Sequence, residues 1–220
     1  MVPILHCTVN NRDYKQVGPD TFYHVFNRGT AKMKIFLSPD DYGFFLSRLR
    51  ECLYPKEIDR AELAKTRLYV RTQLPADAFD LICYCLMPNH FHFLLHQNTE
   101  LPVNKLIGKL CTGYSKYFNK KYERVGSLFQ DQFKSVPITS NEQLLWVSSY
   151  IHRNPLEAGL VPKLEEYAYS SYPDFVGLRS GTLCKKEMLM EQCGNSPASY
   201  NKHMMNFNEG IHVPLMLDSD

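Results

Sequence analysis

The chain has 220 residues, 44% of them hydrophobic and 22% charged, with a formal net charge of +2. That length suits one large domain or a domain with an appendage, and the composition argues against a disordered chain, a collagen-like repeat or a coiled-coil rod. No apolar run approaches the roughly 20 residues of a membrane helix, Met1–Asn10 lacks the basic start and long apolar stretch of a signal peptide, and the seven cysteines are scattered and odd in number, so a cytoplasmic protein with reduced thiols is expected.

The first predicted element is a strand over Thr21–Asn27, where Phe22, His24 and Phe26 alternate with Tyr23, Val25 and Asn27 before a turn at Arg28-Gly29. A helix follows: Ser38 suits the N-cap, Pro39 the first helical position, and Asp40 and Asp41 the first turn. Phe44, Phe45, Leu49 and Leu53 form its apolar face, and Pro55 stops it. Residues 59–78 are mixed and charged, weakly helical up to about residue 68, and read as a surface connection. Leu81–Met87 and Phe91–His96 are extended segments hinged at Pro88-Asn89. The recurrence of Leu106, Leu110, Tyr114 and Tyr117 or Phe118 predicts a second helix from Val103 to Lys121. Ser127–Ile138 again reads as extended. Ser140-x-x-Gln143 is a capping box that opens a third helix, expected to end at Asn154 because Pro155 biases its predecessor away from the helical region. Beyond Tyr172 the pattern weakens to two short helices, near 185–193 and 197–207. Strands separated by helices predict an α+β fold with one sheet and helices packed on it.

The charge is unevenly placed. Between Lys105 and Lys134 seven basic residues (105, 109, 116, 120, 121, 124 and 134) face only Glu123 and Asp131, a local excess of five, interleaved with Tyr114, Tyr117, Phe118, Tyr122, Phe129 and Phe133. Positive charge beside aromatic faces suits phosphate contacts and base stacking on single-stranded nucleic acid. The same run also fits a solvated helix face over a packed aromatic core.

Chemistry concentrates in Met87-Pro88-Asn89-His90-Phe91-His92. Residues two apart on a strand share a face, so His90 and His92 project together, about 6.6 Å apart at the backbone, and both can reach one cation. Two polar residues on the solvent side of an amphipathic strand would give the same pattern. Cys83 and Cys85 could complete a zinc site, although the usual spacing is about two to four residues between cysteines and about three to five between histidines. Asn154 offers a hard amide oxygen suited to Mg²⁺ or Mn²⁺, and Tyr150 lies four residues earlier on the same helix face, where it would also serve as a packing residue.

Four segments carry a resemblance: Tyr23-His24-Val25-Phe26-Asn27-Arg28-Gly29; Cys85-Leu86-Met87-Pro88-Asn89-His90-Phe91-His92; Gly126-Ser127-Leu128-Phe129-Gln130; and Tyr150-Ile151-His152-Arg153-Asn154-Pro155 with Ala158-Gly159-Leu160-Val161. In order and spacing they resemble the single-tyrosine HUH transposases, specifically the REP-associated tyrosine transposases, over about residues 20–175. The resemblance implies a ferredoxin-like antiparallel sheet with helices packed on one face, in a catalytic domain over 1–175 followed by a helical C-terminal extension over 176–220. It implies that His90, His92 and Asn154 bind a divalent cation, Mg²⁺ or Mn²⁺, and that Tyr150 is the nucleophile that cleaves single-stranded DNA beside hairpins and keeps the 5′ phosphate. Arg28, Lys105, Lys109, Lys116, Lys120, Lys121 and Arg124 are the expected DNA contacts. A homodimer is a further expectation, since simpler relatives build their sites across two chains. No G-x-x-x-x-G-K-[ST] or G-x-G-x-x-G motif occurs, so no nucleotide cofactor is expected. Two other classes compete: a transposase-derived protein that binds hairpin DNA through the 105–134 stripe without cutting it, and a metal-dependent hydrolase of small phosphates that uses the same ligands with water as nucleophile.

Overall fold

The computed structural model of the chain describes residues 18–55 and 73–206, so the connection expected over 59–78 falls largely outside the described residues. Its centre is a four-stranded antiparallel sheet of β1 (Thr21–Arg28), β2 (Phe79–Met87), β3 (His90–Gln97) and β4 (Lys134–Ile138), in the order β2-β3-β1-β4. Helix α1 (Pro39–Leu53) lies between β1 and β2 in the chain, and α2 (Val103–Lys121) between β3 and β4. This is the split βαβ topology expected of a ferredoxin-like fold.

Both faces of the sheet are covered. On one, Val25, Phe91, Phe93 and Leu95 pack with Phe45 and Leu49 of α1 and with Leu106, Leu110 and Tyr114 of α2. On the other, Cys83, Cys85 and Leu94 pack with Leu144, Val147 and Ile151 of α3 (Asn141–Glu157) and with three short C-terminal helices, α4 (Tyr172–Phe175), α5 (Glu187–Gln192) and α6 (Pro197–Met205). The layer expected on one face is α1 with α2; α3 and the tail form the second. A strand buried on both faces loses the simple alternation of apolar and polar residues, and β3 is buried from Phe91 through Leu95.

Two boundaries differ from the sequence expectation. Residues 127–133 form a loop, and only Lys134–Ile138 is strand. The loop is stitched to the end of β1 by Gln130 N donating to Arg28 O (2.9 Å) and by a bridge between Gly29 and Phe129. At Gly29 an added Cβ would collide with the Met33 carbonyl, so the turn after Arg28 needs glycine. Helix α3 also continues through Pro155 to Glu157, and its last turn is closed by Ala158 N donating to Asn154 O and Leu160 N to Pro155 O. Proline removes one donor, but the surrounding packing and these closing bonds hold the turn.

The tail is tied to α3 by polar bonds. His152 is buried and bridges Tyr200 Oη (2.9 Å) and Ser171 Oγ (2.7 Å), while Arg153 Nη1 donates to Met204 O (3.1 Å). Burial holds the His152 pKa down at about 3, so this bridge is a neutral imidazole with both nitrogens partnered.

Candidate active site

Strand register assembles the site. Pairing of β1 with β3 sets Arg28 opposite His90 and Phe26 opposite His92, and directly opposed residues share a face. His24, Phe26, Arg28, His90 and His92 therefore all lie on the side covered by α3. His92 is 1% exposed and His24 0%, which excludes the solvent-side reading of the histidine pair; His90 is half-buried. The His90 and His92 rings lie with centroids 4.8 Å apart and nearly perpendicular.

Each of these rings is held at Nδ1. His90 Nδ1 is 2.6 Å from Asn89 Oδ1, and Asn89 Nδ2 donates to Lys32 O (3.3 Å). That second bond identifies Oδ1 as the acceptor, so His90 carries a hydrogen on Nδ1. His92 Nδ1 is 3.0 Å from His24 Nε2. Burial pushes the His24 pKa down to about 3; it also pushes His92 well below its usual range, and the positive charge of Arg28, or of His90 or His24 if protonated, would push it further. Both are neutral imidazoles at physiological pH, and neutrality is what a ligand nitrogen requires.

Tyr150 reaches the same place from α3. Its half-buried ring meets His92 and His24 edge-on, with centroids at 5.5 and 6.0 Å, and stacks flat on Trp146 one helical turn earlier, at 5.7 Å. Asn154 follows one turn after Tyr150 and is half-buried on the same helix. His92 Nε2 is buried with no hydrogen-bond partner among the described residues. An orphaned imidazole nitrogen beside a second imidazole fits a cation site, and an amide oxygen suits the harder ions. His90, His92 and Asn154 are the residues that would hold such an ion. Among the described residues no three His, Cys, Asp or Glu side chains gather as a metal cluster, so the zinc alternative lacks its ligand set. Cys85 lies opposite His92, but its thiol is pushed up by burial and contacts Met87 Sδ at 3.7 Å.

The basic stripe sits elsewhere. Helix α2 packs on the face away from the histidines, where Lys105, Lys116 and Lys120 are exposed and Lys109 is half-buried. Two of its expected DNA contacts are engaged within the fold. Lys121 Nζ lies 2.7 Å from Asp41 Oδ1 and 2.8 Å from Ser38 Oγ, and Arg124 Nη2 donates to Ser127 O (3.0 Å). Tyr117 and Tyr122 donate to Asp41, and Tyr114 to the Ile35 carbonyl, so these tyrosines of the stripe are structural. Between α2 and the 126–133 loop runs a groove of about 740 Å³ with Asn27, Ser115, Lys116, Asn119 and Gln130 in its walls. On the histidine face, Arg28 is joined by Lys134, whose Nζ sits 5.7 Å from the Phe26 ring.

Sequence reasoning missed His24, Asn89 and Lys134 as parts of this neighbourhood. The alternation in β1 placed His24 with Phe26, but nothing in that pattern says that β1 pairs with β3. Asn89 was legible as a turn residue, and its bond to His90 emerges only from the hairpin.

Residues 56–154 match the family model described as "Transposase IS200 like", a span containing His90, His92, Tyr150 and Asn154. A Haemophilus influenzae protein named as a REP-associated tyrosine transposase is 24% identical over 135 residues, which cover 54% of this chain and 69% of that one. The structure of a REP-associated tyrosine transposase bound to a REP hairpin matches with a TM-score of 0.51 at 13% identity, over 74% of this chain and 84% of the other. Over the matched residues the chain is similar to the IS200-like transposases, and it shares its fold with the hairpin-bound structure.

Proposed function

We propose that the chain is a divalent-cation-dependent transposase and endonuclease that cleaves and rejoins single-stranded DNA beside hairpins through Tyr150. The observation that carries this reading is the meeting of Tyr150 with His92: a helix and a strand bring a phenol against a buried imidazole whose Nε2 has no protein partner among the described residues. A bound Mg²⁺ or Mn²⁺ would supply charge neutralisation at the scissile phosphate. The chain's own residues supply the rest. Trp146 holds the phenol ring flat, α3 fixes its distance from the sheet, and Asn89 and His24 hold the histidines.

In the cleavage step the Tyr150 oxygen attacks phosphorus and gives up its proton to solvent. The bond from phosphorus to the 3′ oxygen breaks, and that oxygen takes a proton from solvent and leaves as a free 3′ hydroxyl. The 5′ phosphate stays on Tyr150, so the bond energy is retained and the 3′ hydroxyl can reverse the step. Arg28 and Lys134 rim this face and suit the phosphate backbone; Lys105, Lys109, Lys116 and Lys120 and the groove beside Lys116 suit the flanking strand. Tyr150 and His92 come from one chain, and the tail covers part of α3, which favours a site complete in a monomer.

The test is incubation of the protein with hairpin-flanked single strands and Mg²⁺. Wild type should form a covalent adduct whose nucleotide maps to the peptide containing Tyr150. Tyr150→Phe leaves the ring packing and removes the oxygen, so adduct and cleavage should both vanish while binding persists. Binding by wild type with neither cleavage nor adduct would favour the non-catalytic hairpin-binding protein. Cleavage by the Phe variant without an adduct would favour the hydrolase.

A further inference from the structure

The His24–His92 contact has a direction that bears on the site. Both rings are buried, and 3.0 Å between His24 Nε2 and His92 Nδ1 leaves room for one shared hydrogen. If His92 donates, its Nε2 carries a lone pair. If His24 donates, His92 Nε2 carries a hydrogen and cannot bind a cation. In either case the remaining nitrogens, His24 Nδ1 and His92 Nε2, have no hydrogen-bond partner among the described residues. A histidine kept only for packing would be expected to satisfy both ends, as His152 does with Tyr200 and Ser171. The neighbouring ligand candidate is likewise held through Nδ1: Asn89 Oδ1 can only accept, so His90 Nδ1 is the donor.

We infer that His24 is a positioning residue that accepts the Nδ1 hydrogen of His92 and so presents the His92 Nε2 lone pair to the cation. Asn89 holds the Nδ1 of His90 in the same manner. This rests on the metal-dependent reading above. Ligand histidines are commonly oriented through their second nitrogen, and loss of such a partner typically weakens metal binding by about 10- to 100-fold.

The experiment uses the full chain, without DNA. Long-range ¹H–¹⁵N spectra of ¹⁵N-labelled wild type should show His92 with its hydrogen on Nδ1, and Mn²⁺ titration followed by paramagnetic resonance should give a dissociation constant. His24→Phe should raise that constant by about 10- to 100-fold and shift His92 toward the Nε2–H tautomer. His24→Gln, whose amide oxygen can accept from His92 Nδ1, should recover most of the affinity. A wild-type His92 carrying its hydrogen on Nε2, or a His24→Phe variant that binds Mn²⁺ as tightly as wild type, would overturn the inference. If wild type binds no Mn²⁺, the metal reading fails, and the wild-type tautomer alone still decides the role of His24. Should His24→Phe fail to fold, the wild-type spectrum and His24→Gln carry the decision.

Discussion

On the α1/α2 face of the sheet, Asp41 is fully buried and its carboxylate accepts from Leu37 N, Ser38 N, Tyr122 Oη, Lys121 Nζ and Tyr117 Oη. On the α3 face, His24 and His92 are equally buried and share one bond, each keeping a nitrogen with no partner among the described residues. The two centres lie in one small domain and differ in how completely they are satisfied. A satisfied centre stabilises the fold by fixing α1 against the end of α2. A half-satisfied one stays costly unless something else binds it, so it marks the face where chemistry is expected.

The largest effect that can break this contrast lies in the apolar layer. Phe93→Ala removes a ring that is 0% exposed among Phe45 and Phe91, and should cost about 3–5 kcal/mol in denaturant unfolding, with cleavage per folded molecule preserved. A cost below about 1 kcal/mol would mean that this face is not the stable one.

Asp41→Asn should come next, at about 1–3 kcal/mol near neutral pH, because it weakens several charge-assisted bonds at once. Burial alone would raise the Asp41 pKa, but Lys121, the Leu37 and Ser38 amides and Tyr122 together outweigh it and hold the carboxyl below its ordinary range. A depressed folded-state pKa stabilises the fold above the unfolded value of about 3.9, and the contribution is lost as pH falls through the folded value. The gap between wild type and Asp41→Asn should therefore be full at pH 7 and close on acidification below about pH 4. Unfolding curves at several pH values would check it.

The double change His24→Leu/His92→Leu removes both partners of the other centre. It should alter stability by less than about 1 kcal/mol, since replacing both members of a buried hydrogen bond by apolar groups of similar shape is nearly neutral. Cleavage should disappear. Severe destabilisation would show that this pair, too, is structural.

The smallest effect concerns the stripe. Neutralising Lys116 and Lys120 should make the log-log salt dependence of single-strand binding shallower by roughly 0.7 for each phosphate that no longer meets a lysine. Lys121→Gln should instead lower stability and leave that slope alone, because the Lys121 ammonium is engaged by Asp41.

Local signals account for most of what was readable in advance. The Ser38-Pro39 start of α1, the apolar spacing of α2 and the Ser140 cap of α3 are decided within a few residues of where they act, and the structure places these elements at the expected positions. Tyr150 and the histidine pair were legible for a different reason, since four ordered motifs carried a resemblance that composition and spacing alone did not. What stayed hidden depends on long-range pairing. His24 meets His92 across 68 residues, and Lys121 meets Asp41 across 80, so a lysine at the end of a basic stripe reads as a surface charge until its partner is known. The run from Ser127 looked extended because loop residues bridged to a strand end carry similar side chains. The placement of α2 away from the histidines follows from which face each helix covers, and no periodicity within one helix encodes that.

Strand β1 pairs with β3 through eight consecutive partners, from Thr21 with Gln97 to Arg28 with His90. Because side chains alternate, a slip of one residue would send His24 and Arg28 into the apolar layer and bring Tyr23 and Val25 up beneath Tyr150. Such a molecule would bury the Arg28 guanidinium among phenylalanines and deprive His92 of its imidazole partner in the same event. Proofreading of this fold is thus built into its alignment: a copy paired out of step is inert and unstable together, and clearance of unstable chains removes the defective ones without any separate check on activity.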